Sequence, residues 1–410
     1  MRRQLHPKSW LGGALFASAL LFQASAAPRI APVAEGQRND EQRALAARFA
    51  DLGLPNAVAT YLNHPAVAAA ILPYERYISS ASTLPPRQRA LAHLRTSWLT
   101  RSEYLWAHHA ARAKTTGLTT EDLARVARGP DAAGWSPFER TLLRAADELH
   151  VDSFVSDAAW TALAAEYSVD QLVDFVYGVG EFTMHAAVLN TLGVEIEPNV
   201  VERFPPGIAY TIAARQTNER MQGKAPRIAP LMPHEWTPEQ RARLDPTNSG
   251  RPAANVFATF VRNPPVDALR NAIGTHIRGG TTLTPRQREL LLMRIGVLCR
   301  SEYEWAAHMR AGKSAAVGMT DADVERIARG PDAPGDALET ALLRATDELF
   351  RDDRISDATW AALAARLDTR QLMDVLIAVG GYRTASMAIN SAGVQLDANM
   401  ADFRFPAFVR

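Results

Sequence analysis

The pattern of apolar and polar positions along this chain is that of α-helices. The segment 283–298, LTPRQRELLLMRIGVL, has a proline at an early helical position and continues with strong helix formers. Its apolar residues leave almost no polar face, which predicts a helix buried on most sides. The segments 118–129 and 319–330 are typical of short helices that end at a glycine. No sustained alternation of apolar and polar residues suggests strands, so we predict an all-α protein.

The same pattern occurs twice in the chain. RSEYLWAHH at 101–109 returns as RSEYEWAAH at 300–308, and LLRAADEL at 142–149 returns as LLRATDEL at 342–349. The offset between such pairs stays between 198 and 201 residues along the whole chain. The two halves are therefore copies of one unit and can be compared residue by residue.

The repeat sets the expected domain boundaries. We predict a diverged first domain at 27–200, a Pro-rich linker at 201–233 and a second domain at 234–410 that carries the activity. Each domain is long enough to bury a core of its own.

The segment 1–26 has the pattern of a secretory signal. Arg2, Arg3 and Lys8 precede a short apolar run, and the segment ends in Ala-Ser-Ala. We expect cleavage after Ala26, a periplasmic or secreted protein, and no membrane attachment after cleavage. An uncleaved anchor is the less favoured alternative, because the run is short and rich in small residues.

Composition narrows the function further. The chain has 45 Lys and Arg against 44 Asp and Glu, a formal net charge of +1. Such near-neutrality over 410 residues offers no electrostatic surface for nucleic acid. Cys299 is the single cysteine, so no disulfide can form within the chain.

The second copy resembles the carboxymuconolactone decarboxylase family. The resemblance runs from PEQR at 238–241 through NVFAT at 255–259 and EYEWAAH at 302–308 to NSAGV at 390–394. That family shares its all-helical fold with the AhpD alkylhydroperoxidases, and the first copy looks like a diverged member. The resemblance therefore implies two tandem AhpD-like helical domains.

The resemblance also implies an assembly. Members of the family form trimers, or hexamers built from dimers. A fused pair suggests that the two copies pack as an internal pseudo-dimer, and that three chains form a homotrimer resembling a hexamer.

The AhpD branch carries a signature of one Glu, a Cys-x-x-Cys pair and a His. The matching positions in the second copy are Glu289, Ser301, Glu304 and His308, and those in the first are Ala90, Ser102, Leu105 and His109. Both cysteines are absent from both copies. Peroxidase chemistry, which needs an attacking thiolate and a resolving thiol, is therefore disfavoured. The resemblance to the decarboxylase branch implies acid–base chemistry on a small carboxylated or lactone-like substrate, by a lyase or isomerase that needs no metal or organic cofactor.

Four residues of the second copy are the candidate catalytic groups. Glu304 and His308 lie four positions apart and can meet on one helix face, where the carboxylate would raise the imidazole pKa. Glu289 lies on the preceding apolar helix, and burial there would raise its pKa and suit it to acid–base work. Tyr303 supplies a hydroxyl group.

Two further residues are candidates for substrate binding. Arg294 could hold a carboxylate through a bidentate pair, and Trp305 could form an aromatic wall. Structural alternatives stay open for each. Arg294 could instead form a buried bridge with an acid such as Glu289, and Trp305 could be core. Ser301 and Glu304 also fit a capping box in which the carboxylate does no chemistry.

The first copy keeps His109, Tyr104 and Arg95 but has Ala90 and Leu105 where the second has its acids. We therefore predict that the first copy is structural.

The first copy is also rich in histidines, and His93, His108, His109 and His185 with Glu181 invite a metal interpretation. Adjacent helical residues point about 100° apart, so His108 and His109 cannot easily share one ion, and we predict no metal site.

Two rival functions stay open: peroxide detoxification through Cys299, and a non-catalytic binding or scaffold role in the envelope.

Overall fold

The computed structural model describes residues 27–211, 221 and 224–406. Within these residues all regular structure is helical, which confirms the all-α prediction. The proposed signal at 1–26 and part of the proposed linker, 212–220 with 222–223, lie outside the described residues.

The two halves correspond helix for helix. In the first half the helices are α1 (Asp40–Arg48), α2 (Pro55–Tyr61), α3 (Pro65–Arg76), α4 (Pro86–Leu99), α5 (Glu103–Lys114), α6 (Thr120–Arg128), α7 (Pro137–Asp152), α8 (Asp157–Ala164) and α9 (Val169–Leu192). In the second half they are α10 (Pro238–Leu244), α11 (Asn255–Phe260), α12 (Pro264–Thr275), α13 (Pro285–Leu298), α14 (Glu302–Gly312), α15 (Asp321–Arg329), α16 (Ala337–Asp352), α17 (Asp357–Ala364) and α18 (Thr369–Ala392).

Local sequence fixes the ends of the two longest helices. Ser168 and Asp368 cap α9 and α18, each by accepting a hydrogen bond from the backbone N–H three residues on. Gly193 and Gly393 end these helices with φ of 71° and 73°, a left-handed conformation that favours glycine.

Helices α9 and α18 pack against each other in the centre of the molecule. A Cβ atom on Gly180 would lie 2.6 Å from Thr384 Cγ2, and one on Gly380 would lie 2.4 Å from Met184 Cγ. Glycine at both positions therefore permits the close approach. Each helix is long and apolar enough to cross a membrane, but the most apolar parts are 100% and 89% buried inside the protein. That burial is typical of core helices.

The two copies exchange equivalent contacts. The backbone N–H of Val155 donates to Ser391 Oγ, and the backbone N–H of Ile355 donates to Thr191 Oγ1, each over 3.1 Å. Both hydrogen bonds are buried and join one copy to the other. This reciprocity defines an internal pseudo-dimer with approximate two-fold symmetry.

Candidate active site

Helices α13 and α14 of the second copy bring two carboxylates to one histidine. Glu289 lies on α13, and Glu304 and His308 lie one turn apart on α14. Glu289 Oε2 is 2.7 Å from His308 Nδ1, and Glu304 Oε2 is 3.4 Å from His308 Nε2. The three side chains are buried. The structure thus brings together three of the four residues proposed as catalytic.

The charges of this cluster depend on the balance between burial and ion pairing. Burial alone would lower the pKa of His308, but hydrogen bonds and attraction from Glu289 and Glu304 outweigh it and raise the pKa to about 9. At neutral pH His308 is therefore an imidazolium.

The pKa of Glu289 is shifted in the direction opposite to our expectation. Burial raises it, as the sequence predicted, but hydrogen bonds and charge attraction from His308 and Arg288 prevail and hold it below its ordinary value. Arg288 Nε lies 2.9 Å from Glu289 Oε1. The expectation of a raised pKa was wrong because it took account of burial but not of the two cations beside the carboxylate.

The capping box considered for α14 does not form. Ser301 is the N-cap residue, but its side chain makes no capping hydrogen bond. Its Oγ atom has no hydrogen-bond partner among the described residues. Glu304 instead turns toward His308, so its carboxylate is available to the site.

A cavity of about 290 Å³ lies against His308 and Glu304. The ring of Tyr382 meets the His308 imidazole edge to face, with 4.7 Å between centroids. The polar and charged groups around the cavity come from both copies: Tyr177, Glu181, Arg270, Arg278, Tyr303, Glu304, His308, Arg310, Tyr382 and Thr384. A small polar molecule placed there would contact the histidine directly.

Tyr303 also lines this cavity, but its hydroxyl is already hydrogen-bonded to another side chain. The O–H donates to Asp397 Oδ2 over 2.7 Å. Burial and the neighbouring Asp397 carboxylate raise the pKa of Tyr303 well above its ordinary value. Tyr303 is therefore a neutral hydroxyl that shapes the wall of the cavity.

The two residues proposed for substrate binding are held elsewhere. Arg294 forms a bidentate ion pair with Asp347, at 2.6 and 2.8 Å, and also donates to the carbonyl of Ala328. Trp305 is fully buried, and its Nε1–H donates to the carbonyl of Arg404. These contacts correct the substrate-binding assignment: Arg294 forms a buried bridge, with Asp347 and not Glu289 as its partner, and Trp305 is core.

Several cavity residues were missed as site residues, and Arg278 and Glu181 are the two that bear most on the chemistry. Arg278 is exposed at the cavity, follows α12 and interacts with Tyr382. Glu181 reaches the cavity from α9 of the first copy. Burial, together with the nearby Glu75 carboxylate, raises the pKa of Glu181 to about 8, so it is protonated at neutral pH. The sequence signal for Glu181 was an acid within the largely apolar stretch 175–189 of α9, and Arg278 gave no such signal.

The first copy has its own acid beside the equivalent histidine. Glu75 on α3 lies with Oε1 3.6 Å from His109 Nε2 and Oε2 4.0 Å from His185 Nε2. The inference that this copy lacks carboxylates near His109 was therefore wrong. Burial nevertheless lowers the pKa of His109 well below its ordinary value, so it is neutral where His308 is charged.

The other residues of the first copy have structural partners. Tyr104 donates to Glu197 over 2.9 Å, and Arg95 pairs with Asp147 as Arg294 does with Asp347. His108 bonds to Glu197 and so points away from His109, and His93 stacks on Phe182. Of the histidines considered for a metal site, His108 is thus set apart, whereas His109 and His185 both lie beside Glu75 and the ring of His93 lies 5.9 Å from that of His109.

The fold and the site define a helical protein of two like domains with one cationic histidine at a cavity. The model of the carboxymuconolactone decarboxylase family matches residues 65–148 and again residues 264–348. The chain is therefore a tandem pair of carboxymuconolactone decarboxylase family domains. Comparison with curated protein sequences gives no match.

Proposed function

We propose that the second copy is a cofactor-independent lyase or isomerase that acts on a small carboxylated or lactone-like molecule. The observation that carries this proposal is the position of His308 between Glu289 and Glu304 at the wall of a cavity. Because Glu289 holds Nδ1 of the imidazolium, the ring has a fixed orientation and its Nε2 proton can be donated to a bound molecule.

The charges around the cavity support a carboxylated substrate. Arg278 is exposed at the cavity, and within the described part of the chain its guanidinium forms no ion pair with a carboxylate. A guanidinium without an acidic partner is suited to bind a carboxylate through two parallel hydrogen bonds. The volume of about 290 Å³ limits the substrate to a small molecule.

In the proposed reaction each nitrogen of the imidazole has its own role. Nδ1 faces Glu289, and Nε2 faces Glu304 at the cavity. In a decarboxylation, the bond to the carboxylate breaks, CO2 leaves, and the electron pair moves into an adjacent carbonyl as an enolate. The Nε2 proton of His308 then passes to the substrate carbon. In an isomerisation, Glu304 takes a proton from one carbon, and the electron pair left behind forms a new double bond to the neighbouring carbon. The electrons of the existing double bond then move to the next carbon, which takes the Nε2 proton of His308. Glu289 acts as a positioning residue in both.

The experiment follows the reaction in D2O with a panel of small lactones that carry a carboxylate, and it measures the uptake of deuterium into the product. We expect the product to contain deuterium at one carbon, measured by NMR, and His308→Gln to lower turnover by roughly 10²- to 10⁴-fold. The matched control is His109→Gln in the first copy, which should leave turnover nearly unchanged. Equal losses in the two variants would contradict the proposal.

The peroxidase alternative has less support. Cys299 is fully buried at the end of α13, and its carbonyl accepts a hydrogen bond from Asn390. A thiol that attacks peroxide has to be accessible and ionised. Cys299→Ser should therefore leave turnover unchanged.

The export of the chain and its assembly as a trimer stay predictions. Light scattering on the purified protein tests the trimer.

A further inference from the structure

Two histidines and one aspartate meet at the interface between the copies, apart from the cavity. His276 Nε2 lies 2.7 Å from Asp374 Oδ1, and His64 Nε2 lies 3.3 Å from the same oxygen. One nitrogen from each imidazole and one carboxylate oxygen lie within 4.8 Å of one another. All three residues are buried, with 3, 7 and 2% exposure for His64, His276 and Asp374.

These residues come from three elements of both copies. His64 precedes α3 of the first copy, and Asp374 lies on α18 of the second. His276 begins the π-helical turn His276–Gly280 at the end of α12. The first copy has a matching π turn at Tyr77–Ala81, so the turn belongs to the framework that both copies share. A ligand held here would connect the two halves of the pseudo-dimer.

The groups around the cluster orient it for a further ligand. The Thr282 backbone N–H and hydroxyl both donate to Asp374 Oδ2, over 2.6 and 2.7 Å. These bonds fix the carboxylate and direct Oδ1 toward the imidazoles, as outer-shell partners do in metal sites. His64 Nε2 is buried, and its approach to Asp374 Oδ1 over 3.3 Å does not have the geometry of a good hydrogen bond. A buried nitrogen that is poorly hydrogen-bonded is costly unless another ligand satisfies it.

The pseudo-symmetric position in the first copy shows what the same framework does without histidines. Asp174 replaces Asp374, and Thr83 donates to it through its hydroxyl over 2.7 Å. Tyr77 stands where the second copy has His276, and its O–H donates to Asp174 over 3.0 Å. Asn263 stands where the first copy has His64. That arrangement is satisfied by ordinary hydrogen bonds, so the two imidazoles are a specific difference and not a requirement of the fold.

We propose that His64, His276 and Asp374 bind one divalent first-row transition-metal ion, with Zn²⁺ the best fit, across the interface between the copies. Imidazole nitrogen and carboxylate oxygen are ordinary Zn²⁺ ligands at about 2.0–2.2 Å, which puts two ligand atoms of one ion about 3–4 Å apart. The separations of 2.7 and 3.3 Å around Asp374 Oδ1 are close to that range. A metal ion would also give His64 Nε2 a better partner than its present 3.3 Å contact with Asp374.

The test uses the full chain, stripped of metal with a chelator and titrated with Zn²⁺ or Co²⁺. We expect one ion per chain by calorimetry, a tetrahedral Co²⁺ absorption spectrum, and a thermal midpoint that rises with Zn²⁺ because the ion binds only the folded protein. The variant H64N/H276Y installs the residues that the chain itself uses at the pseudo-symmetric position, so it should fold. We expect it to lose affinity by about 100-fold or more.

A gain-of-function variant sharpens the test. Y77H/N263H places two imidazoles beside Asp174, and we expect it to bind two ions per chain instead of one. The proposal is overturned if the stripped wild-type chain binds neither ion, or if H64N/H276Y binds Zn²⁺ as tightly as the wild type. Circular dichroism of each variant separates loss of binding from loss of fold. None of these readouts depends on catalytic turnover.

Discussion

Glu289 and His308 are joined across 2.7 Å between neighbouring helices, and both are buried. This contact keeps the imidazole charged, because the pKa of His308 is raised to about 9 from an ordinary value of 6.5. Its equivalent His109, beside Glu75 at 3.6 Å, has its pKa lowered by burial. One helical position thus carries a cation in the second copy and a neutral ring in the first.

The pH dependence of stability should reveal this difference. Since the folded pKa of His308 lies above its unfolded value, its stabilising contribution is complete below about pH 6.5 and is lost as the pH rises to about 9. We expect the wild type to lose on the order of 3 kcal/mol of unfolding free energy over that window, relative to His308→Gln. Urea denaturation at several pH values measures it. Identical slopes for the two proteins would refute the assignment.

Glu289→Gln tests the positioning role of the carboxylate. We expect the His308 pKa, followed by NMR of the imidazole, to fall below 9 and the pH profile of turnover to shift the same way, because the bond that favours the cation is lost. Glu325→Gln, at an exposed ion pair with Arg329, is the matched control and should leave that pKa unchanged. A purely structural role for Glu289 would lower stability without moving the pH profile.

Replacing Arg294 should lower the stability of the protein, whereas replacing Arg278 should weaken substrate binding. Arg294→Ala leaves Asp347 buried without its partner, and we expect a loss of about 3–5 kcal/mol in unfolding free energy. Arg278→Ala should leave stability nearly unchanged and raise KM by about 10- to 100-fold, because a charge-assisted bond to substrate is lost. Chemical denaturation and steady-state kinetics decide between them. A raised KM for a folded Arg294→Lys variant would restore Arg294 as a binding residue.

The helix crossing at Gly180 offers a test of the pseudo-dimer. Gly180→Ala places a Cβ 2.6 Å from Thr384 Cγ2 and 3.0 Å from its Cα, and we expect a loss of about 1–3 kcal/mol despite the better helix propensity of alanine. Gly36→Ala is the control, since nothing lies within 4 Å of its Cβ position. Thermal unfolding compares the two. Equal stability of Gly180→Ala and Gly36→Ala would mean that α9 and α18 can move apart at little cost, so their close approach would not be needed for stability.

Sequence alone predicted the helical fold, the duplication, and the meeting of Glu304 with His308 one turn apart. Local periodicity and spacing carry that information. The sequence could not predict that Arg294 pairs with Asp347, because these two residues are 53 positions apart and lie on different helices. It also gave the wrong direction for the pKa of Glu289, because burial and ion pairing oppose each other and only the geometry of Arg288 and His308 decides between them.

Glu181 is the acidic residue that the first copy contributes to the cavity, and its titration tests that contribution. Its folded pKa of about 8 lies above the ordinary 4.5, so the protonated form is favoured in the folded protein. The associated stability is complete below about pH 4.5 and is lost as the pH rises to 8. Glu181→Gln cannot ionise, so we expect it to gain on the order of 2–5 kcal/mol relative to the wild type across this window. Urea denaturation against pH, with Glu325→Gln as the control, measures the difference. Parallel curves for the wild type and Glu181→Gln would mean that Glu181 is ionised at neutral pH, contrary to its raised pKa.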